Sequence, residues 1–596
     1  MNNFKGEFVM VSIFPTPKKF EVNKGAFPLC NAEIFVDKVF DYRIKKAALK
    51  LRGLISESTG NFHKFAVLTD KVSEGIVIKH NDNIESQAYT ISTTDSLLTV
   101  AAGDDAGAFY GIQTLIQLVN QNGMALPVVQ IEDCPDLKYR GFYHDATRGR
   151  VPSVTGVKEI VDQIALTKMN SLQLYVEHPF EFLEFSNVGN TYDDILTAED
   201  LLEIDQYCYD NFIDFIPSLS CFGHLYELMM KPEYKELCEL KDYKPTQHFF
   251  RERMAHHTIN PSDPRSFELI CSLIDQYLPL FRSQYFNICC DETWDLGKGR
   301  NEGKDPAELY IGFVSKLCEH VTSLGKTVMM WGDIALKHPE MLSKIPKGTI
   351  MLNWQYDAEP EVSRIDKIAE IGLNQIVCPG NTSWLRFMED PTVSVPNITI
   401  MNKSALKNKA LGMLNTNWGD CGHAASFKCT LYGTLIGAET SWNVSTEIND
   451  DYEKRASKFL YGVDENIIPM YSEVAHKTYW TAPWHRFCEW LFTRNPIWYE
   501  DTQKDCLEAI ALCEDYIERL ENLSGKRDII EHLIIAAKGN ILLNNSLLYI
   551  APDCKPVVDV KEYLYDWFQE YAQLWLSDSK PSELCEIIKY FEEILR

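Results

Sequence analysis

From residue 140 onward, short apolar runs alternate with stretches whose apolar residues recur at three- and four-residue spacing. That is the pattern of parallel strands joined by amphipathic helices. The runs predict strands at 141–145, 172–177, 215–220, 286–291, 328–333, 350–354, 375–379 and 412–418. Eight such units over roughly 280 residues fit a (β/α)8 barrel. Upstream, strands are predicted at 65–68, 75–78, 88–91, 97–102 and 127–131, with an apolar-periodic helix at 107–119. The Asp133-Cys134-Pro135-Asp136 break then marks a boundary. Beyond about residue 470 the period is helical, at 501–521, 526–549, 560–575 and 581–595. The predicted fold class is therefore α/β: a TIM barrel over 136–470, a small α+β scaffold domain before it (1–135) and a helical domain after it (471–596).

The 596 residues are too many for one hydrophobic core, consistent with that division. A formal net charge of −27 argues against nucleic acid or an anionic membrane surface as partner. The first twenty residues lack the apolar core of a signal peptide, and no run approaches eighteen apolar residues. The 17 cysteines are odd in number, scattered and without CxxC spacing, which reads as reduced, mostly buried thiols. A cytoplasmic location, no metal and no cofactor are expected.

The predicted strand ends carry an unusual set: Asp145, Glu177, His178, His224, Asp291, Glu292, Trp331, Asp333, Trp354, Trp384, Trp418 and Asp420. In such barrels that rim is where chemistry occurs. Several tryptophans on one rim suit the apolar face of a pyranose, and the carboxylates suit its hydroxyls. The acidic pair Asp291–Glu292 directly follows the apolar run 285–290. Neighbours on a strand face opposite ways, so both acids can serve one site only where the strand is ending.

In order along the chain, these motifs resemble glycoside hydrolase family 20, the β-N-acetylhexosaminidases, in a branch of cytoplasmic members. The residues that carry the resemblance are the 107–118 helix, Tyr139-Arg140-Gly141-Phe142-Tyr143-His144-Asp145-Ala146-Thr147-Arg148 with its Asp-x-x-Arg, Cys221-Phe222-Gly223-His224, and Cys290-Asp291-Glu292-Thr293-Trp294-Asp295. The family commonly writes His-x-Gly-Gly-Asp-Glu where this chain has Asn287-Ile288-Cys289-Cys290-Asp291-Glu292, which puts the packing beneath the site in question. Glu439-Thr440-Ser441-Trp442 is a second candidate tryptophan motif.

The resemblance implies an exo-acting, retaining hydrolase of terminal β-linked N-acetylglucosamine or N-acetylgalactosamine. The substrate's own acetamido oxygen attacks and forms an oxazolinium ion, the arrangement that needs no second protein carboxylate as nucleophile. It implies Asp291 as the group orienting the acetamido N–H, Glu292 as acid and then base, and His224, with Glu177 or His178, as tuner of that proton. Arg140 and Asp420 are implied for the sugar hydroxyls, and Trp331, Trp354 and Trp418 for the acetamido group and sugar face. Tyr356 is assigned to the acetamido carbonyl, with Trp384 beside it. The implied partner is a glycan ending in N-acetylhexosamine, and the chain is expected as a homodimer. The competing readings are an exo-enzyme for sulfated N-acetylglucosamine, an endo-acting chitinase-like enzyme, and a weakly catalytic carbohydrate-binding barrel.

Overall fold

In the computed structural model, which describes residues 11–68, 71–185, 194–241, 257–337 and 342–596, eight parallel strands close into a barrel. They run Tyr139–Asp145, Ser171–Val176, Asp214–Leu219, Tyr285–Asn287, Thr327–Trp331, Ile350–Trp354, Asn374–Cys378 and Gly412–Asn417. Each pairs with its chain neighbours, and the last closes on the first from Gly412↔Tyr139 to Asn417↔His144. Strands such as Ser171–Val176 and Gly412–Asn417 are buried at every residue, because helices cover one face and barrel-filling side chains the other.

The N-terminal region is a seven-stranded sheet carrying the helices Tyr42–Thr59 and Asp105–Asn122. The second helix lies so close to the sheet that a Cβ on Gly107 would stand 2.2 Å from the Ala88 carbonyl oxygen. Three elements escape the hydrophobic pattern: the strands Lys19–Pro28 and Ile34–Asp37 and the helix Tyr42–Thr59. Lys19–Pro28 is a mostly exposed edge strand whose register shifts between Asn23 and Ala26, so it has little apolar alternation to read.

Where the sheet meets the barrel's N-terminal end, charges are buried. The Lys168 ammonium lies 3.3 Å from Asp133 Oδ2, both side chains fully enclosed. Asp133 also accepts from Tyr89 OH at 2.6 Å and from Trp442 Nε1 at 2.8 Å. Arg140 belongs to this layer, which corrects its assignment to the sugar. It opens the first strand at the end opposite the catalytic rim, and it is completely buried. Its guanidinium donates to the carbonyls of Leu137 and Lys168 at 2.9 Å, to Gln87 Oε1 at 2.8 Å and to Tyr110 OH at 3.0 Å. Glu439 and Trp442 end the helix Leu431–Trp442 and face the same layer, Glu439 accepting from Thr16 N at 2.9 Å, so that motif is structural.

After Trp442 the chain is helical: Asp450–Tyr461, Ile468–Thr481, Trp484–Thr493, Thr502–Asn522, Arg527–Ile550, Val560–Asp578 and Leu584–Ile594. The expected 470/471 boundary falls inside the helix Ile468–Thr481 and so does not coincide with a link between elements. Arg527–Ile550 is long and apolar enough to cross a membrane, but 83% of its apolar window is buried inside the protein; it is the central helix of this region.

The buried ion pair predicts a stability defect. Asp133→Ala strands the Lys168 ammonium and the Tyr89 and Trp442 donors, and the expected loss is about 3–5 kcal/mol, read as a lowered midpoint in urea unfolding. Lys168→Met, which removes the charge while keeping apolar volume, is expected to lose less.

Candidate active site

The fourth barrel strand stops at Asn287, four residues before the acidic pair, whereas the apolar run predicts a strand through Asp291. Cys289, Cys290 and Glu292 take φ of +55°, +64° and +47°, left-handed conformations that cost a non-glycine residue about 1–2 kcal/mol each. The chain therefore uncoils instead of alternating, and the adjacent carboxylates of Asp291 and Glu292 open into one pocket. Glycine is the usual residue for such positions, and the two cysteines here take them under strain.

Four contacts hold that turn. Asn287 Oδ1 accepts from Cys289 N at 3.0 Å, while its amide donates to Gln173 Oε1 at 3.0 Å. Trp331 N donates to the Cys289 carbonyl at 3.0 Å. Tyr310 OH donates to the Cys290 carbonyl at 2.9 Å. Glu292 N donates to Asp333 Oδ2 at 3.3 Å. The turn also nests on Gly223, where a Cβ would come 2.5 Å from the Asp291 carbonyl oxygen. The asparagine in place of the family's histidine is thus a turn-forming side chain of its own.

Gly223 brings in His224, itself at φ +56°, whose N–H donates to His257 Nδ1 at 2.7 Å. His224 Nε2 lies 3.5 Å from Asp291 Oδ2 and 3.3 Å from Glu292 Oε2, and its Nδ1 lies 3.7 Å from Glu177 Oε1. Burial alone would favour the neutral ring, but Asp291 and Glu292 raise its pKa to about 10, so the resting group is an imidazolium. Glu177 also accepts from Tyr175 OH at 2.8 Å, and His178 Nδ1 stands 4.0 Å from it. His224, Asp291 and Glu292 each offer an atom within 4.8 Å of the others, a set that could hold a metal ion. The imidazolium has no lone pair to give on Nε2, so a cation there must first displace a proton; the arrangement handles protons as it stands.

The pocket, about 190 Å³, is lined by Arg148, Asp291, Glu292, Trp354, Tyr356, Trp384, Trp418 and Asp420. Trp354 stacks on Tyr356 at 5.2 Å between ring centroids, and Trp384 leans on Tyr356 at 5.0 Å. Trp418 Nε1 donates to Tyr356 OH at 2.7 Å, and Thr416 is a second hydrogen-bond neighbour of that hydroxyl. Trp331 is fully buried, packed on Tyr143 and Trp418; it supports the wall from inside the barrel instead of forming it. Glu177 and His178 stand behind the pocket, against Arg148 and His224.

Arg148 is the pocket residue that reasoning from sequence passed over, although its signal, the Asp-x-x-Arg at the end of the first strand, was in view. Asp145 Oδ1 accepts from Thr147 N at 2.9 Å and Arg148 N at 3.1 Å, and its Oδ2 accepts from Gly419 N at 3.0 Å. This Asx-type turn swings the arginine over the rim. Its guanidinium lies 3.0 Å from Asp420, 3.4 Å from Asp145 and 3.8 Å from Glu177. Removal from water pushes the Asp420 carboxyl up to about 6, against the pull of Arg148.

The Gly223 contact makes a prediction. Gly223→Ala drives a methyl into the Asp291 carbonyl and should displace the acidic turn. A loss of about 100-fold in turnover is expected from misplacement of this order, with the melting temperature nearly unchanged; wild-type turnover in this variant would mean that the turn gives way without cost.

Residues 137–419 match the family described as "Glycosyl hydrolase family 20, catalytic domain", and residues 10–134 match "Glycosyl hydrolase family 20, domain 2". The chain is 27% identical over 286 residues to the β-hexosaminidase of Porphyromonas gingivalis (42% of this chain, 36% of that one). It is 23% identical over 364 residues to that of Vibrio furnissii (55% of this chain, 57% of that one). The matched part thus spans between about a third and three fifths of these relatives' lengths. Among solved structures, the Flavobacterium johnsoniae chitobiase superposes with a TM-score of 0.63 at 18% identity, covering 94% of this chain and 99% of that one. The Vibrio harveyi exo-β-N-acetylglucosaminidase, solved with N-acetylglucosamine, gives 0.60 at 18% identity over 77% and 76%. The structural likeness shows a shared fold; the two family matches together cover more than half of the sequence, and the chain belongs to glycoside hydrolase family 20.

Proposed function

We propose that the chain is an exo-acting, retaining β-N-acetylhexosaminidase that uses the substrate's acetamido group as nucleophile. The observation that carries this reading is the shared direction of Asp291 and Glu292. They follow one another on a single turn, and each places a carboxylate oxygen within 3.5 Å of one atom, His224 Nε2. A double-displacement glycosidase needs an acid and a nucleophile flanking the anomeric carbon, with carboxyl groups about 5–5.5 Å apart. Here the oxygens facing His224 lie within 4.8 Å of one another and come from one turn on one side of the pocket, not from opposite sides of a ring. They can serve one proton and one developing cation on the same side, which is what an oxazolinium requires.

In this reading Glu292 protonates the leaving oxygen and later deprotonates water. Asp291 accepts from the acetamido N–H and balances the positive charge that grows there. Tyr356 turns its phenol proton from Thr416 to the acetamido carbonyl. Arg148, in place of Arg140, takes the sugar hydroxyls together with Asp420, while Trp354, Trp384 and Trp418 cover the apolar face. The cavity is smaller than the roughly 300–1,000 Å³ of drug-sized ligand sites, which favours one terminal ring over a bound chain. Among the described residues lining the pocket, Arg148 is the sole cation and already faces three carboxylates, which favours an uncharged sugar over a sulfated one.

The chain's seventeen free cysteines favour a reducing compartment and so a cytoplasmic location, to be checked by fractionation of cells making the full chain. Assembly as a homodimer completes the proposal, and light scattering at 68.4 kDa in place of twice that mass would remove it.

The mechanism is tested with para-nitrophenyl glycosides and a thiazoline analogue of N-acetylglucosamine. Glu292→Gln is expected to lower turnover by about 10²–10⁴, less on activated phenol leaving groups than on N,N′-diacetylchitobiose. Asp291→Asn should weaken thiazoline binding. Plain β-glucosides turned over as well as N-acetylglucosaminides would overturn the substrate-assisted reading.

Asp420 gives a pH signature. Its carboxyl is neutral below about 6, where it loses its ion pair with Arg148 and one acceptor for a sugar hydroxyl. Apparent substrate affinity should therefore fall as the pH drops through 6, and Asp420→Asn should flatten that dependence while raising KM.

A further inference from the structure

The fifth barrel strand ends in a carboxylate that the proposed mechanism leaves without a task. Asp333 stands two residues past Trp331 and is 8% exposed. Its Oδ2 accepts from Glu292 N at 3.3 Å, while its Oδ1 is buried without a hydrogen-bond partner. A half-satisfied buried acid beside two others opposes folding. An amide or an apolar residue would pack there at lower cost. Its one contact falls on the backbone of Glu292, which is held at φ +47°. The other ties on this turn come from neutral groups, Asn287 Oδ1, Trp331 N and Tyr310 OH.

We propose that Asp333 is a positioning residue for the reaction, fixing the Glu292 peptide in its left-handed turn and holding a negative charge behind the proton donor. The inference rests on Glu292 being the general acid. The groups that face Asp333 are Asp291 and Glu292 from the acidic turn, Lys337 from the far end of its own short helix Asp333–Lys337, and Tyr310 from the helix Pro306–Ser323. Burial and the Asp291 charge push the Asp333 carboxyl up to about 7, with the Glu292 N–H and Lys337 pulling it down. The group thus passes from neutral to ionised across the working range. Once ionised, it opposes ionisation of Glu292, since like charges disfavour one another. The donor then keeps its proton to higher pH.

Two variants separate the roles. Asp333→Asn keeps an acceptor oxygen for the Glu292 N–H and removes the charge; Asp333→Ala removes both. The rates are kcat/KM against pH for N,N′-diacetylchitobiose, which needs a protonated leaving oxygen, and for a dinitrophenyl N-acetylglucosaminide, which needs little help. Asp333→Ala is expected to lose about 100-fold on chitobiose and under about 5-fold on the dinitrophenyl substrate, because only the first depends on the aim of the acid. Asp333→Asn should stay within about 5-fold on both at pH 6 but shift the alkaline limb on chitobiose down by about one pH unit. A merely structural role would lower both substrates alike and leave the limb in place, so equal losses in Asp333→Ala, or an unshifted limb in Asp333→Asn, overturn the inference. Wild-type turnover of both substrates, with Glu292→Gln impaired chiefly on chitobiose, shows separately that the general-acid reading stands; an inactive wild type removes the reading and the inference together.

Discussion

The constraint on which the site depends is that two consecutive residues must act on one point. A strand forbids this, since its side chains alternate. The chain meets it by ending the fourth strand at Asn287 and running Cys289, Cys290 and Glu292 through left-handed backbone. Three such residues carry a strain of several kcal/mol together (about 1–2 each). That is tolerable only because neighbouring elements hold the turn from all sides: Asn287 below it, Trp331 and Asp333 from the fifth strand's end, Tyr310 from a covering helix, and Gly223 from the third strand's loop. Strain of this kind at a functional site is typical when the surroundings over-determine it. The rim loops are therefore coupled through backbone contacts, and the geometry of the acids is a property of the barrel, not of the acidic dipeptide.

Much of this was legible. The eight apolar runs located every barrel strand, because parallel strands buried on both faces have no choice but to be apolar throughout. The rim set contained seven of the eight residues that line or back the acids most closely, Asp145, Glu177, His224, Asp291, Glu292, Asp333 and Asp420, because a polar residue at the end of such a run stands out. What could not be read was direction. Arg140 and Arg148 flank the same seven-residue strand, and only the barrel's polarity says which end is catalytic. A buried arginine looks equally costly at either place, and Arg140 meets that cost with carbonyls and a tyrosine hydroxyl at the domain junction. Trp331 and Trp418 likewise share a position at the ends of strands, yet one fills the barrel and the other walls the pocket, a difference of depth that no local pattern encodes. The fourth strand's early end was hidden because Ile288, Cys289 and Cys290 are as apolar and as buried as strand residues.

The domain junction solves a separate problem. The N-terminal sheet is closed at neither edge, and it presents its helix Asp105–Asn122 to the base of the barrel. Lys168, Asp133 and Arg140 are all fully or nearly fully enclosed there; Lys168 and Asp133 compensate each other, and Arg140 is met by carbonyls, Gln87 and the Tyr110 hydroxyl. Such a layer adds little net stability over an apolar one, but it penalises any sliding of the two parts, since a shift of one bond length leaves a charge unpaired. The same chemistry at the opposite end of the barrel is arranged less completely: Asp333 Oδ1 and Asp291 Oδ1 have no hydrogen-bond partner. Satisfaction at the base and its absence at the rim divide the barrel into a part that is finished and a part that waits for substrate.

Charge balance at the rim completes the argument. Two cations, the His224 imidazolium and the Arg148 guanidinium, face six carboxylates: Asp145, Glu177, Asp291, Glu292, Asp333 and Asp420. With Asp333 pushed up to about 7 and Asp420 to about 6, the cluster carries less negative charge at mildly acidic pH than its six carboxyl groups would otherwise give it. It becomes more negative as the pH rises. An oxazolinium adds one positive charge beside Asp291 at the moment Glu292 gives up its proton and becomes negative. The reaction thus moves charge within the cluster without changing its total, and the enclosure that raises the carboxyl pKa values also keeps water from screening that movement. A barrel that used an enzyme carboxylate as nucleophile would also keep its total, since the acid gains the charge that the ester removes, but it would place no cation beside Asp291. What matches the site to a nucleophile that arrives with the substrate is therefore the position of Asp291, a carboxylate set beside the acid with a developing cation to balance.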